Sequence, residues 1–201
     1  MEKPGEFLVS FTYLDPVADW MQMFGVYERL VMTNALRTVY WDRAGAEFLT
    51  FPEWHSWFKS SKVHLFKSNY QDEFVGIMTL YDCSERHRCF CGTWVEPRWR
   101  GHKTMEMGKQ ALTYVHGQLG FENVFAASPW NAAQQFCSRI GMEHIATLPG
   151  YCKYKDKTLD VDMFRSTRKM KIASLSQDLT SMGWMPKSAY DLAYRTIHGD
   201  G

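Results

Sequence analysis

Apolar positions along the chain keep two rhythms, one of three and four residues and one of two. The first is clearest at Met105, Gly108, Ala111, Leu112, Val115 and Leu119, which share one face of a helix that Gly120 is placed to end. Trp20, Met23, Phe24, Tyr27, Leu30 and Val31 repeat the pattern after Asp15-Pro16, a pair suited to the N-cap and first position of a helix. A second helical piece is expected over 34–41, and a short helix or turn dense in aromatic side chains over 51–58. Ala132, Ala133, Phe136, Cys137 and Ile140 give one more helix, over 131–140, with Gly141 as its cap. The two-residue rhythm predicts strands over 6–13, 62–68, 73–81, 88–95, 121–128, 142–148 and 159–166. The polar turn 69–72 makes a hairpin of the second and third, and Pro97, which cannot donate to a ladder, stops the fourth.

Between that fourth strand and the longest helix lies Arg98-Trp99-Arg100-Gly101-His102-Lys103. The amides of a helix N-terminus have no intrahelical partner and carry the positive end of the macrodipole, so this turn is suited to phosphate. With Arg98-x-x-Gly101 it resembles the GCN5-related N-acetyltransferase superfamily, in which Gln/Arg-x-x-Gly-x-Gly/Ala holds the pyrophosphate of acetyl-coenzyme A. Lys103 takes the place of the family's small residue and would add a point charge toward the phosphate. The order strand, helix beginning at Asn131 where the family has Asn-x-x-Ala, glycine and strand continues the resemblance, which spans about 70–167.

The resemblance implies an α/β (α+β) fold: a mixed, mostly antiparallel central sheet flanked by helices. A domain over 1–167 is expected, followed by a helical C-terminal extension, 168–201, that packs on the domain or on a partner. It further implies acetyl-CoA as cosubstrate, held by Trp94, Val95, Arg98, Arg100, Gly101, His102, Lys103, Thr104 and Asn131, with amides near Trp94 and Val95 turned to the thioester. His87, with Glu85 beside it, is the candidate general base. Cys137 stands where many members carry a proton-donating tyrosine. It reads either as that acid or as a small buried hydrophobe.

Composition narrows the alternatives. With 201 residues, 45% of them hydrophobic, the chain can bury a full core. Its 23 basic residues are balanced by 22 acidic ones, a net charge of +1, so charge gives no reason to expect nucleic acid or an anionic membrane as partner. No apolar run reaches membrane-spanning length, and the first six residues are too polar and acidic for a secretory signal, so a cytoplasmic location is expected, with a virion as the alternative. Five cysteines without a C-x-x-C pair and seven scattered histidines point to free thiols and to no metal site. Two function classes follow. One is an N-acetyltransferase acting on a small-molecule or protein amine. The other is a catalytically degenerate domain of the same fold, a structural or binding component such as an internal virion protein of short-tailed phages, with homo-oligomer or virion assembly as its context.

Overall fold

The structure is a computed structural model that describes residues 7–40, 48–154 and 156–170, with the side chain of His102 left aside. Seven strands form one sheet: β1 (Ser10–Leu14), β2 (His64–Tyr70), β3 (Glu73–Ser84), β4 (Arg88–Val95), β5 (Asn123–Ser128), β6 (Glu143–Tyr154) and β7 (Lys157–Thr167). The helices are α1 (Trp20–Met32), α2 (Leu36–Val39), α3 (Phe51–Ser56), α4 (His102–Gly117) and α5 (Asn131–Arg139). The spatial order is β1-β2-β3-β4-β5-β7-β6, antiparallel at every junction except β4–β5, which is parallel. The expected mixed, mostly antiparallel sheet flanked by helices is therefore present.

Each face of the sheet buries its own core. On one, Met78, Leu80, Cys89, Val124 and Phe164 pack under Ala111, Leu112 and Val115 of α4. On the other, Leu65, Ile77 and Trp94 pack under Met23 and Leu30 of α1, Leu36 of α2 and Trp54 of α3. The strand alternation and the helix stripes thus meet as their periods require. α3 is fixed by a capping box in which Thr50 and Glu53 satisfy each other's end groups, with Pro52 in the first turn. α5 ends as expected at Gly141, whose φ of +88° lets the Met142 amide reach back to the Cys137 carbonyl at 3.1 Å.

Four expectations are corrected. The opening strand is Ser10–Leu14 and not 6–13. Asp15 does accept the amides of Val17 and Ala18 at 2.8 Å each, but what it caps is an irregular turn, and regular helix begins only at Trp20. In α1 the buried stripe is Met23, Val26 and Leu30, whereas Trp20, Phe24 and Val31 are exposed. Finally, β6 runs on through the Pro149-Gly150 stretch that reads as a loop and keeps its pairing with β7, because a bulge between Leu148 and Cys152 absorbs the stretch. There the Gly150 amide donates to the Asp160 carboxylate at 2.8 Å. Residues 171–201, most of the expected extension, lie outside the described residues.

Candidate functional site

The parallel junction is the origin of the site. β4 and β5 pair only over Arg88↔Asn123, Cys89↔Val124 and Phe90↔Phe125, and beyond these the two strands diverge. Between them opens a slot of 160 Å³ that reaches from Cys91, Thr93 and Trp94 on β4 to Ala126 and Ser128 on β5. Gly108 and Ala111 of α4 and Phe136 and Cys137 of α5 line it further. A side chain at Gly108 would run into the Phe136 ring, so this glycine sets the spacing of the two helices at the slot.

The slot adjoins a wider cleft of 660 Å³, sharing Thr38, Thr93, Trp94, Ala133 and Phe136 with it. The turn after β4 forms one wall, through Arg100, Gly101 and Thr104. Gly101 is the N-cap of α4 with φ 98° and ψ −134°, a conformation that L residues rarely adopt. The Arg100 amide is taken by the Pro97 carbonyl at 3.2 Å and the Thr104 amide by the Gly101 carbonyl at 3.1 Å. This leaves the amides of Gly101, His102 and Lys103 as the first-turn donors without an intrahelical acceptor, a shorter cradle than the expected 100–104. The Thr104 hydroxyl and the indole N–H groups of Trp94 and Trp130, all buried, have no hydrogen-bond partner among the described residues. All three residues line the two cavities. Buried donors of this kind are normally satisfied, so they fit a ligand with acceptor oxygens along its length.

Charge completes the picture. Arg100 and, from the last turn of α5, Arg139 line the cleft, and no carboxylate does among the described residues. Arg139 was not among the expected site residues. At the end of a helix it reads as a cation placed for the macrodipole, and only the packing of α5 across from the turn reveals it.

The expected residues separate into two groups. Trp94, Val95, Arg100, Gly101 and Thr104 come together at the cleft, and Cys137 sits in the slot. Arg98 turns away: its guanidinium lies 3.5 Å from both Glu73 and Glu96 and 5.5 Å from the Trp99 ring centroid. The Lys103 ammonium sits among rings and not toward the cleft, 4.2 Å from the centroid of Trp99, 5.2 Å from Phe7 and 5.5 Å from Tyr70. Asn131 opens α5, exposed, its side-chain oxygen accepting from Gln135 at 3.2 Å. Glu85 and His87 lie at the start of β4, at the paired end of the β4–β5 junction, while the cleft opens at the other end. There His87 Nδ1 stands 3.1 Å from the Glu122 carboxylate in an exposed pair.

Burial raises the Cys137 thiol to about 12 and, with the nearby Cys137, raises Cys91 likewise to about 12. Such a thiol is a weaker acid than an ordinary one, so Cys137 has no downhill proton to give a leaving thiolate. The phenol of Tyr154 is a further group that the sequence motifs do not mark. Its ring stands edge-on to Trp130 of the slot, centroids 4.9 Å apart and planes at 87°, with the Arg37 guanidinium 5.6 Å from its own centroid. Cys83, Cys89, Cys91 and Cys137 are free thiols, no group of three or more metal-ligating side chains occurs among the described residues, and no described helix is long and apolar enough to cross a membrane.

No protein-family model matches the sequence, and no curated protein does. The fold does have solved counterparts. A spermidine N-acetyltransferase from Vibrio cholerae, in complex with CoA and spermine, superposes with a TM-score of 0.65 at 13% identity over 82% of this chain and 98% of that one. A point mutant of the Vibrio cholerae spermidine N-acetyltransferase gives 0.66 at 13% over 82% and 96%, and a probable acetyltransferase 0.58 at 14% over 79% and 92%. The chain has the GCN5-related N-acetyltransferase fold.

Proposed function

We propose that this chain is an acetyl-CoA-dependent N-acetyltransferase acting on an amine. The observation that carries the reading is the continuity of the slot between β4 and β5 with a cleft that ends on the Gly101 turn. A narrow, largely apolar passage suits a pantetheine arm, and first-turn amides flanked by two guanidinium groups suit the phosphates. That a solved protein of this fold binds CoA and spermine supports the reading.

In the reaction the acceptor nitrogen attacks the thioester carbonyl, the carbonyl oxygen takes up negative charge, the C–S bond breaks and the thiolate gains a proton. Among the described residues β4 has no strand partner on its β5 side beyond Phe90, so the amides of that edge in the 91–95 segment can receive the developing oxyanion. Tyr154 is our assignment for the proton donor, supported by its packing on Trp130. The two cavities offer no carboxylate or imidazole among the described residues, so the acceptor enters as the free amine or loses its proton through water. That same lack of a base favours a second reading, a domain that binds the coenzyme without transfer.

Titration calorimetry and a transfer assay against an amine panel that includes spermidine test both. Acetyl-CoA binds, Arg100→Ala and Arg139→Ala each weaken it roughly 10-fold or more by removing a charged hydrogen-bond donor, and Tyr154→Phe lowers turnover with binding unchanged. Binding with no transfer to any amine selects the second reading. No heat with acetyl-CoA or CoA overturns both.

A further inference from the structure

The Lys103 ammonium occupies a cage of three rings drawn from three parts of the chain: Phe7 before β1, Tyr70 at the end of β2, and Trp99 in the turn after β4. The rings support one another, with centroids 4.6 Å apart for Phe7–Tyr70, 5.9 Å for Tyr70–Trp99 and 6.1 Å for Phe7–Trp99. Trp99 is itself held, its indole N–H donating to the Phe74 carbonyl at 3.1 Å. Further along α4, Gln110 grips the same N-terminal segment, accepting the Val9 amide at 2.7 Å and donating to the Phe7 carbonyl at 2.5 Å.

A cation in the first turn of a helix is opposed by the macrodipole, so Lys103 is poorly placed on local grounds. Three negative ring faces around its ammonium offset that penalty. The arrangement also engages the Lys103 side chain away from the cleft, while its amide stays among the first-turn donors without an intrahelical acceptor.

We propose that Lys103 is a positioning residue: its ammonium pins the segment around Phe7 and the Trp99 turn onto the start of α4, and so sets the geometry of the Gly101 cradle. The coenzyme part rests on the reading given above; the pin itself does not. A lysine that served the phosphate directly and a lysine that pins the cradle predict opposite responses when the cage is damaged.

Hydrogen exchange of the ligand-free protein reads the pin alone. Lys103→Met, which keeps the apolar stem and loses the charge, speeds exchange of the amides around Val9 and over 99–106, while Lys103→Arg, still able to lie on the rings, keeps them near wild type. Phe7→Leu, which keeps apolar volume and loses a ring face, has the effect of Lys103→Met, and the double variant adds nothing to either. Calorimetry with CoA then shows Kd raised roughly 2- to 5-fold in both single variants, the size of one or two exposed cation–π contacts. Unchanged exchange in Lys103→Met overturns the pin whatever happens to binding. CoA binding that Phe7→Leu leaves alone or tightens, with Lys103→Met still weakening it in the Phe7→Leu background, overturns it in favour of direct phosphate contact. Absence of CoA binding in every variant, wild type included, alongside the expected exchange pattern, upholds the pin and rejects the coenzyme reading.

Discussion

Thiols show most plainly how environment decides what a residue can do. Cys91 and Cys137 face the same slot, and burial lifts both from the ordinary value of 9.0 to about 12. Above pH 9 the unfolded chain gives up these protons while the folded chain keeps them, so stability must fall as pH rises from about 9 toward 12. Each thiol contributes at most about 1.4 kcal/mol per pH unit over that window. Denaturant titrations between pH 8 and 10.5 should therefore show a decline that is shallower in Cys137→Ala, together with a pH-independent loss on the order of 1 kcal/mol for the deleted side chain. Identical slopes for the variant and wild type would show that the thiol is not held protonated by the fold. The same dependence on surroundings explains which site residues the sequence made legible. Gly101 and Arg100 were readable because a motif binds them to one turn. His87 and Glu85 have chemistry suited to a base, yet a strand has two ends, and these residues precede the paired end of the eight-residue β4 while the cleft lies at the other. Arg139 comes from an element that reaches the cleft only through packing, so no local signal points to it, and Tyr154 meets Trp130 of the slot in the same way.

Among the elements, long periodic segments were legible and irregular joints were not. α4 and α5 lie where their apolar steps placed them, because a stripe of that width has to be buried. In α1 the apolar steps mark Met23 and Leu30, which are buried, but also Trp20, Phe24 and Val31, which are exposed, since aromatic side chains crowd both flanks and hydrophobicity alone does not say which flank the sheet takes. The bulge in β6 escaped because Pro149-Gly150 reads as a break, whereas the Asp160 carboxylate holds the Gly150 amide in the hairpin. The contact that sets the spacing of the two helices at the slot is also unreadable in one dimension: Gly108 of α4 gives room to Phe136 of α5, which lines both slot and cleft. Gly108→Ala favours helix by ~1 kcal/mol on propensity, but it forces the Phe136 ring toward the slot. The expected result is a folded protein whose affinity for acetyl-CoA drops about 10-fold or more, and Phe136→Leu in the same chain should recover part of the loss. Unchanged affinity in Gly108→Ala would mean that the slot does not receive the pantetheine arm.

At the scale of the whole molecule, the last strand among the described residues ends at Thr167, and the Arg168 amide donates to the Glu122 carbonyl at 2.8 Å just beyond it. All residues named here for the cleft, the slot and the cage fall between Phe7 and Tyr154. We therefore expect the extension to be separable from the site, although it carries Trp184, Met185, Tyr190, Leu192 and Tyr194, too apolar a set for a solvated linker. The α1 region presents Val17, Trp20, Met21, Phe24 and Met32 to solvent among the described residues, so apolar surface is available on the domain as well. Ending the chain after Met170 should leave the affinity for acetyl-CoA within about twofold of wild type, because none of the cleft residues named among the described ones is removed and a change of about 1.4 kcal/mol would already be tenfold. The same truncation should alter the mass in solution or the melting temperature, because so apolar a set is expected to pack on the domain or on a partner. Light scattering and thermal melts on both chains, run with the calorimetry, separate the outcomes: lost coenzyme affinity would make the extension part of the site, and unchanged mass, melting and affinity together would show that it packs on nothing.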